Sequence, residues 1–122
     1  MPLHNKILIA DDDAEMLETL ANMLENEGYT VIKAENGQEA VELARKELPA
    51  LVMLDIHMPV MDGLKACQAI KLDKVTKGSQ VVMLTVEGSI NEIQQAISYG
   101  AKTYITKPSS KSEILKVVKS II

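Results

Sequence analysis

Residues 7–13 read Ile7-Leu8-Ile9-Ala10-Asp11-Asp12-Asp13, a continuous apolar run that stops against three consecutive carboxylates. An apolar run with no polar alternation describes a strand covered on both faces, and such strands belong to parallel sheets packed between helices. Leu51-Val52-Met53-Leu54 repeats the pattern and runs into Asp55, and Val81-Val82-Met83-Leu84 repeats it and runs into Thr85. Two further strands, Thr30–Ala34 and Thr103–Thr106, carry polar positions and read as sheet edges.

Helical spacing fills the intervals. Leu17, Leu20, Ala21 and Leu24 recur at i, i+3, i+4, i+7, followed by Ala40, Val41, Ala44 and Leu48, and near the end by Ile114, Val117, Val118 and Ile121. Ile90, Ile93 and Ile97 form another stripe, which reads as core. A less periodic helix spans about Gly63–Leu72, with Leu64, Cys67 and Ile70 facing inward. Asn36…Glu39, Ser89…Glu92 and Ser110…Glu113 each offer a capping box at a helix start, and Gly28, Pro49 and Gly100 mark helix ends. Five β-α units with right-handed crossovers give an α/β fold: a five-stranded parallel sheet, doubly wound, with helices on both faces. With strands two and five outermost, the order 2-1-3-4-5 is the natural choice. The winding reverses between strands one and three, and ligands of such sheets bind at the carboxyl ends of the strands there.

The chain has 122 residues, 47% of them hydrophobic, which fits one domain over 1–122 with a core large enough to need no staples. No apolar run approaches the roughly 20 residues of a membrane span. Lys6 is followed by only four apolar residues, unlike a signal peptide, and the single Cys67 makes no intrachain disulfide. These features predict a soluble, cytoplasmic protein with no membrane partner. Thirteen basic against 17 acidic side chains leave a net charge of -4, with three Tyr and neither Phe nor Trp. That balance argues against direct nucleic-acid binding.

Asp11, Asp12 and Asp55 fall at the ends of adjacent strands, where their mutual repulsion calls for a cation. Carboxylates without a Cys or a pair of His make a hard-oxygen site, suited to Mg²⁺. Magnesium held by a few carboxylates commonly serves phosphoryl chemistry, for which Lys107 would supply a charge and Thr85 a hydroxyl. Asp13 reads as an acid favoured by a helix N-terminus. The His57 imidazole reads as structural, Cys67 as packed against the sheet, and the seven methionines as core filler.

Residues 7–13, Leu54-Asp55-Ile56-His57-Met58-Pro59 with Met61-Asp62-Gly63, Met83-Leu84-Thr85 and Tyr104-Ile105-Thr106-Lys107-Pro108 together resemble the response-regulator receiver domains of two-component signalling. The resemblance covers essentially the whole chain and implies a flavodoxin-like fold. It implies that Asp55 accepts a phosphoryl group from a sensor histidine kinase or phosphotransfer protein. It places Mg²⁺ on Asp11, Asp12, Asp55 and the backbone carbonyl of His57. Thr85 and Lys107 correspond to the family's phosphate-contacting hydroxyl and amine, and Thr85 with Tyr104 to its switch pair. The bond before Pro108 is often cis in the family. A downstream protein would bind the face of the fourth helix, fifth strand and fifth helix, and a homodimer is compatible with that arrangement. Catalysis would be limited to self-phosphorylation and slow self-dephosphorylation. Val86 stands where a small residue is usual and would narrow access to the acceptor; Ser109 stands where a phenylalanine often follows the Lys-Pro pair. The rival readings are a Mg²⁺-dependent phosphohydrolase using an aspartyl phosphate, whose nucleophile pattern Asp11-Asp12-Asp13-Ala14-Glu15 fits poorly, and a non-phosphorylated binding module, against which every acidic and phosphate-contacting position is filled.

Overall fold

A computed structural model describes residues 3–86, 89–107 and 109–122. The elements alternate as β1 (Leu3–Ala10), α1 (Ala14–Asn26), β2 (Thr30–Ala34), α2 (Gly37–Glu47), β3 (Pro49–Asp55), α3 (Gly63–Leu72), β4 (Gln80–Val86), α4 (Ile90–Ser98), β5 (Thr103–Lys107) and α5 (Lys111–Ile121). All neighbouring strands pair in parallel, in the order β2-β1-β3-β4-β5. The polar strands β2 and β5 are the edges, as their composition predicts. Pro108 lies outside the described residues, and with it the expected cis bond.

The two-residue period of a strand divides the core in two. Leu8, Ala10, Val52, Leu54, Val81 and Met83 point to one side and pack with Ala40 and Ala44 of α2, Ala66, Cys67 and Ile70 of α3 and Ala96 of α4. Ile7, Ile9, Leu51, Met53, Val82 and Leu84 point to the other and meet Leu17, Leu20 and Leu24 of α1 with Ile114 and Val118 of α5. Each fully buried Leu or Ile contributes about 1.5–3 kcal/mol, which is why residues 7–10, 51–54 and 81–84, where the three central strands are covered on both faces, are apolar throughout.

Helix starts are set by short polar side chains. Asp13 caps α1, its Oδ1 accepting the N–H groups of Glu15 (3.0 Å) and Met16 (3.2 Å), so its carboxylate serves the helix. Asn36 accepts from the Glu39 N–H at 2.8 Å and Ser110 from the Glu113 N–H at 3.1 Å. The third expected box does not form. Ser89 makes no side-chain cap bond, and the Glu92 carboxylate instead meets the His57 ring. The expectation that Ile90, Ile93 and Ile97 are core is also overturned: Ile90 is 65% and Ile97 45% exposed, and Ala96 is the buried residue of α4. Periodicity locates an apolar face; whether the chain covers it depends on what packs nearby, and α4 settles on the sheet through its smallest side chain. Gly28 (φ 97°) and Gly100 (φ 112°) end helices in the left-handed region, as glycine allows.

Candidate functional site

Parallel pairing of Ala10 with Leu54 brings β1 and β3 to an end together, so Asp11 and Asp55 emerge side by side. The Asp11 N–H also reaches the carbonyl of Ala34 (3.1 Å), tying this end of β1 to the end of β2. Asp11 is almost fully buried, and its Oδ1 accepts the Asp13 N–H at 3.0 Å. Asp12 is exposed and Asp55 intermediate. One carboxylate oxygen from each of the three lies within 4.8 Å of the others. Lys107, at the end of β5, extends its ammonium group back over the sheet, 2.7 Å from Asp11 Oδ2 and 3.4 Å from Asp55 Oδ1.

This geometry sets the charge states. Burial pushes the Asp55 carboxyl above its ordinary range; attraction to Lys107 opposes the shift, and repulsion from Asp11 and Asp12 adds to it. Burial by itself would lower the Lys107 ammonium, but its hydrogen bond to Asp11 and its attraction to Asp55 outweigh burial and hold it above its usual value. One ammonium against three carboxylates leaves the site with excess negative charge. Only oxygen donors converge there, with no Cys or His ring in the group. That donor set fits Mg²⁺ and suits zinc poorly.

The remaining candidates lie on β4, on β5 and in the loop after β3. Thr85, buried at the end of β4, donates its hydroxyl to the carbonyl of Val86 at 3.2 Å. Val86 is about half exposed and sits in register with Lys107. Tyr104 lies on the edge strand β5, 44% exposed. The His57 side chain is 70% exposed, and its Nε2 lies 3.0 Å from Glu92 Oε2, bridging the β3–α3 loop to α4. The ring thus faces α4 and is not part of the Asp11–Asp12–Asp55 group.

Three backbone features of the site escape sequence reasoning. A Cβ at Gly63 would lie 2.0 Å from the Asp55 carbonyl oxygen, so α3 begins in direct contact with the strand end that carries Asp55. A Cβ at Gly37 would lie 2.3 Å from the Met61 oxygen, which accepts the Gly37 N–H at 2.9 Å and so fastens the β3–α3 loop to α2. Between them, the Met61 N–H bonds to the Pro59 carbonyl at 2.7 Å across Val60, which has φ 68° and is 81% exposed. This is a γ-turn with positive φ, the rarer and more strained form, centred on a β-branched residue. Glycine at a loop–helix junction hints at close approach; nothing in the sequence marks Val60.

Residues 7–119 match the response regulator receiver domain family. The chain belongs to this family. It is 36% identical to the chemotaxis protein CheY of Halobacterium salinarum, with 96% of each chain covered, and 35% identical to protein PilH of Pseudomonas aeruginosa, over 96% of this chain and 97% of that one. The crystal structure of Vibrio cholerae chemotaxis protein CheY4 superposes with a TM-score of 0.90 at 29% identity, covering 96% of this chain and 98% of the other. The chain also matches several transcriptional regulators, of which it spans about half the length. It is therefore a receiver domain of the CheY type, from two-component signalling. Receiver domains are phosphoacceptor switches that act with histidine kinases and downstream effectors and generally use Mg²⁺. Among the described residues, no helix is long and apolar enough to cross a membrane.

Proposed function

We propose that this receiver domain accepts a phosphoryl group on Asp55 from a phosphohistidine of a sensor kinase or phosphotransfer protein, and so switches a docking surface. The observation that carries the reading is the placement of Asp55 within one group with Asp11 and Asp12, 3.4 Å from the Lys107 ammonium. An Asp55 oxygen attacks phosphorus in line; the P–O bond forms as the P–N bond breaks, and the imidazole leaves with the electron pair and takes up a proton. Asp11, Asp12, Asp55 and the His57 carbonyl would hold Mg²⁺, which when bound supplies neutralisation of the phosphoryl oxygens. Lys107 turns from its two carboxylates to a phosphoryl oxygen. The Thr85 hydroxyl gives up the Val86 carbonyl for the same group, and Tyr104 follows it inward from its exposed position.

The switch is a shift between two populations, driven by nearly two added negative charges. The exposed Ile90 and Ile97 of α4, with Tyr104 of β5, support the α4–β5–α5 face as the surface that a downstream protein reads. A partner that binds only the switched surface stabilises the phosphorylated state by linkage. The site works on its own Asp55 and turns over slowly by hydrolysis, in a cytoplasmic setting.

Incubation with Mg²⁺ and a small acyl phosphate tests the reading by mass spectrometry. One phosphoryl group is gained by the native protein and none by Asp55→Asn, with the fold retained by circular dichroism. A gain that survives the substitution places the acceptor elsewhere, and steady turnover of small phosphoesters would replace the switch with a phosphohydrolase.

A further inference from the structure

Behind Lys107, on the side of the sheet that carries α1 and α5, lies a cavity of about 140 Å³. Its wall is apolar: Met16, Leu20 and Met23 of α1, Leu84 and Ile105 of the sheet, and Ile114 of α5. An apolar cavity of roughly 150 Å³ stays dry and takes up a molecule the size of benzene, so this one has room for a single ring. Two flexible thioethers on the wall let it adapt to an aromatic guest, which sulfur also attracts.

The polar groups on the lining decide which ring. Thr19 spends its hydroxyl proton on the Glu15 carbonyl (2.9 Å), and Ser109 spends its own on the Thr106 carbonyl. A hydroxyl has one donor and two lone pairs, so both present only acceptors to the cavity. The Lys107 ammonium lies 2.7 Å from Asp11 and 3.4 Å from Asp55, so a weakly held carboxylate guest would have to compete with two resident carboxylates for it. We propose that the cavity is a binding site for a neutral single-ring aromatic bearing one hydrogen-bond donor, a phenol-like ligand. The site lies outside the phosphoacceptor group and does not depend on the function proposed for it.

The test is a titration of the whole protein, labelled at the methionine methyl groups, with phenol, toluene and benzoate, read by NMR. Phenol produces saturable shifts at Met16 and Met23, binding about fivefold more tightly than toluene, the worth of one neutral hydrogen bond; benzoate leaves these methyls unmoved. Thr19→Val combined with Ser109→Ala removes both acceptors and brings phenol down to the affinity of toluene. Met23→Phe fills the cavity and abolishes the saturable shifts of both, at an unchanged or raised Tm. Shifts that never saturate, that spread evenly over the methionines, or that benzoate matches overturn the assignment. So does phenol bound undiminished when Thr19→Val and Ser109→Ala are combined, a result that stands whether or not Met23→Phe folds.

Discussion

Gly63→Ala puts the closest backbone approach of the site to a test. The new Cβ would stand 2.0 Å from the Asp55 carbonyl oxygen, 2.9 Å from its carbon and 3.0 Å from the Ile56 Cα. All three are backbone atoms, so no side chain can swing aside, and the two segments must part by about 1.4 Å to reach an ordinary 3.4 Å contact. Overpacking of this kind costs about 1–3 kcal/mol, and an unyielding neighbour puts this case near the top. Gly63 is the first residue of α3, so alanine there returns less than the roughly 0.5–1 kcal/mol of a helix interior, for a net loss of about 2–3 kcal/mol. The parting also moves the residue that carries the proposed acceptor, and a displacement of that size lowers a positioned reaction by about 100-fold. Gly28→Ala is the comparison. Its Cβ would meet nothing within 4 Å, but φ is 97°, so it pays only for a left-handed backbone, about 1–2 kcal/mol. Urea unfolding measures both losses, and mass spectrometry the rate of phosphorylation by an acyl phosphate. Both variants lose stability, and only Gly63→Ala loses acceptance. The reasoning is refuted if Gly63→Ala unfolds within about 0.5 kcal/mol of the native protein, the range of an ordinary surface substitution.

Val60→Asn keeps a side chain at φ 68° but uses a residue that tolerates the left-handed region, so the midpoint of urea unfolding rises, by up to about 1 kcal/mol in stability; a fall would show that Val60 is not strained. Burial pushes the Cys67 thiol up to about 11, so the reactive thiolate is scarce at pH 8 in the folded protein. A thiol reagent should label native protein slowly and unfolded protein fast, with the native rate climbing toward pH 11. Equal rates at pH 8 would contradict the burial.

Which strands are central, which are edges and where the central ones end were legible because they rest on local pattern. A strand covered on both faces needs an unbroken apolar run, and residues 7–10, 51–54 and 81–84 supply it, each ending in the polar residue that marks a strand's carboxyl end. What required the tertiary structure are the quantities that several elements set jointly. Lys107 stands 96 positions from Asp11, and their 2.7 Å contact depends on sheet order, strand length and a side chain laid back across the strand ends. The exposure of Ile90 and Ile97 arises because, among the described residues, no element packs over them, which periodicity cannot register. Glu92 has equal chemistry for capping Ser89 and for pairing with His57, and only packing brings the imidazole within reach. Val60 opposes its own backbone preference because the loop is pinned at Met61 and Gly63, and that constraint arises only once α2 and α3 have docked.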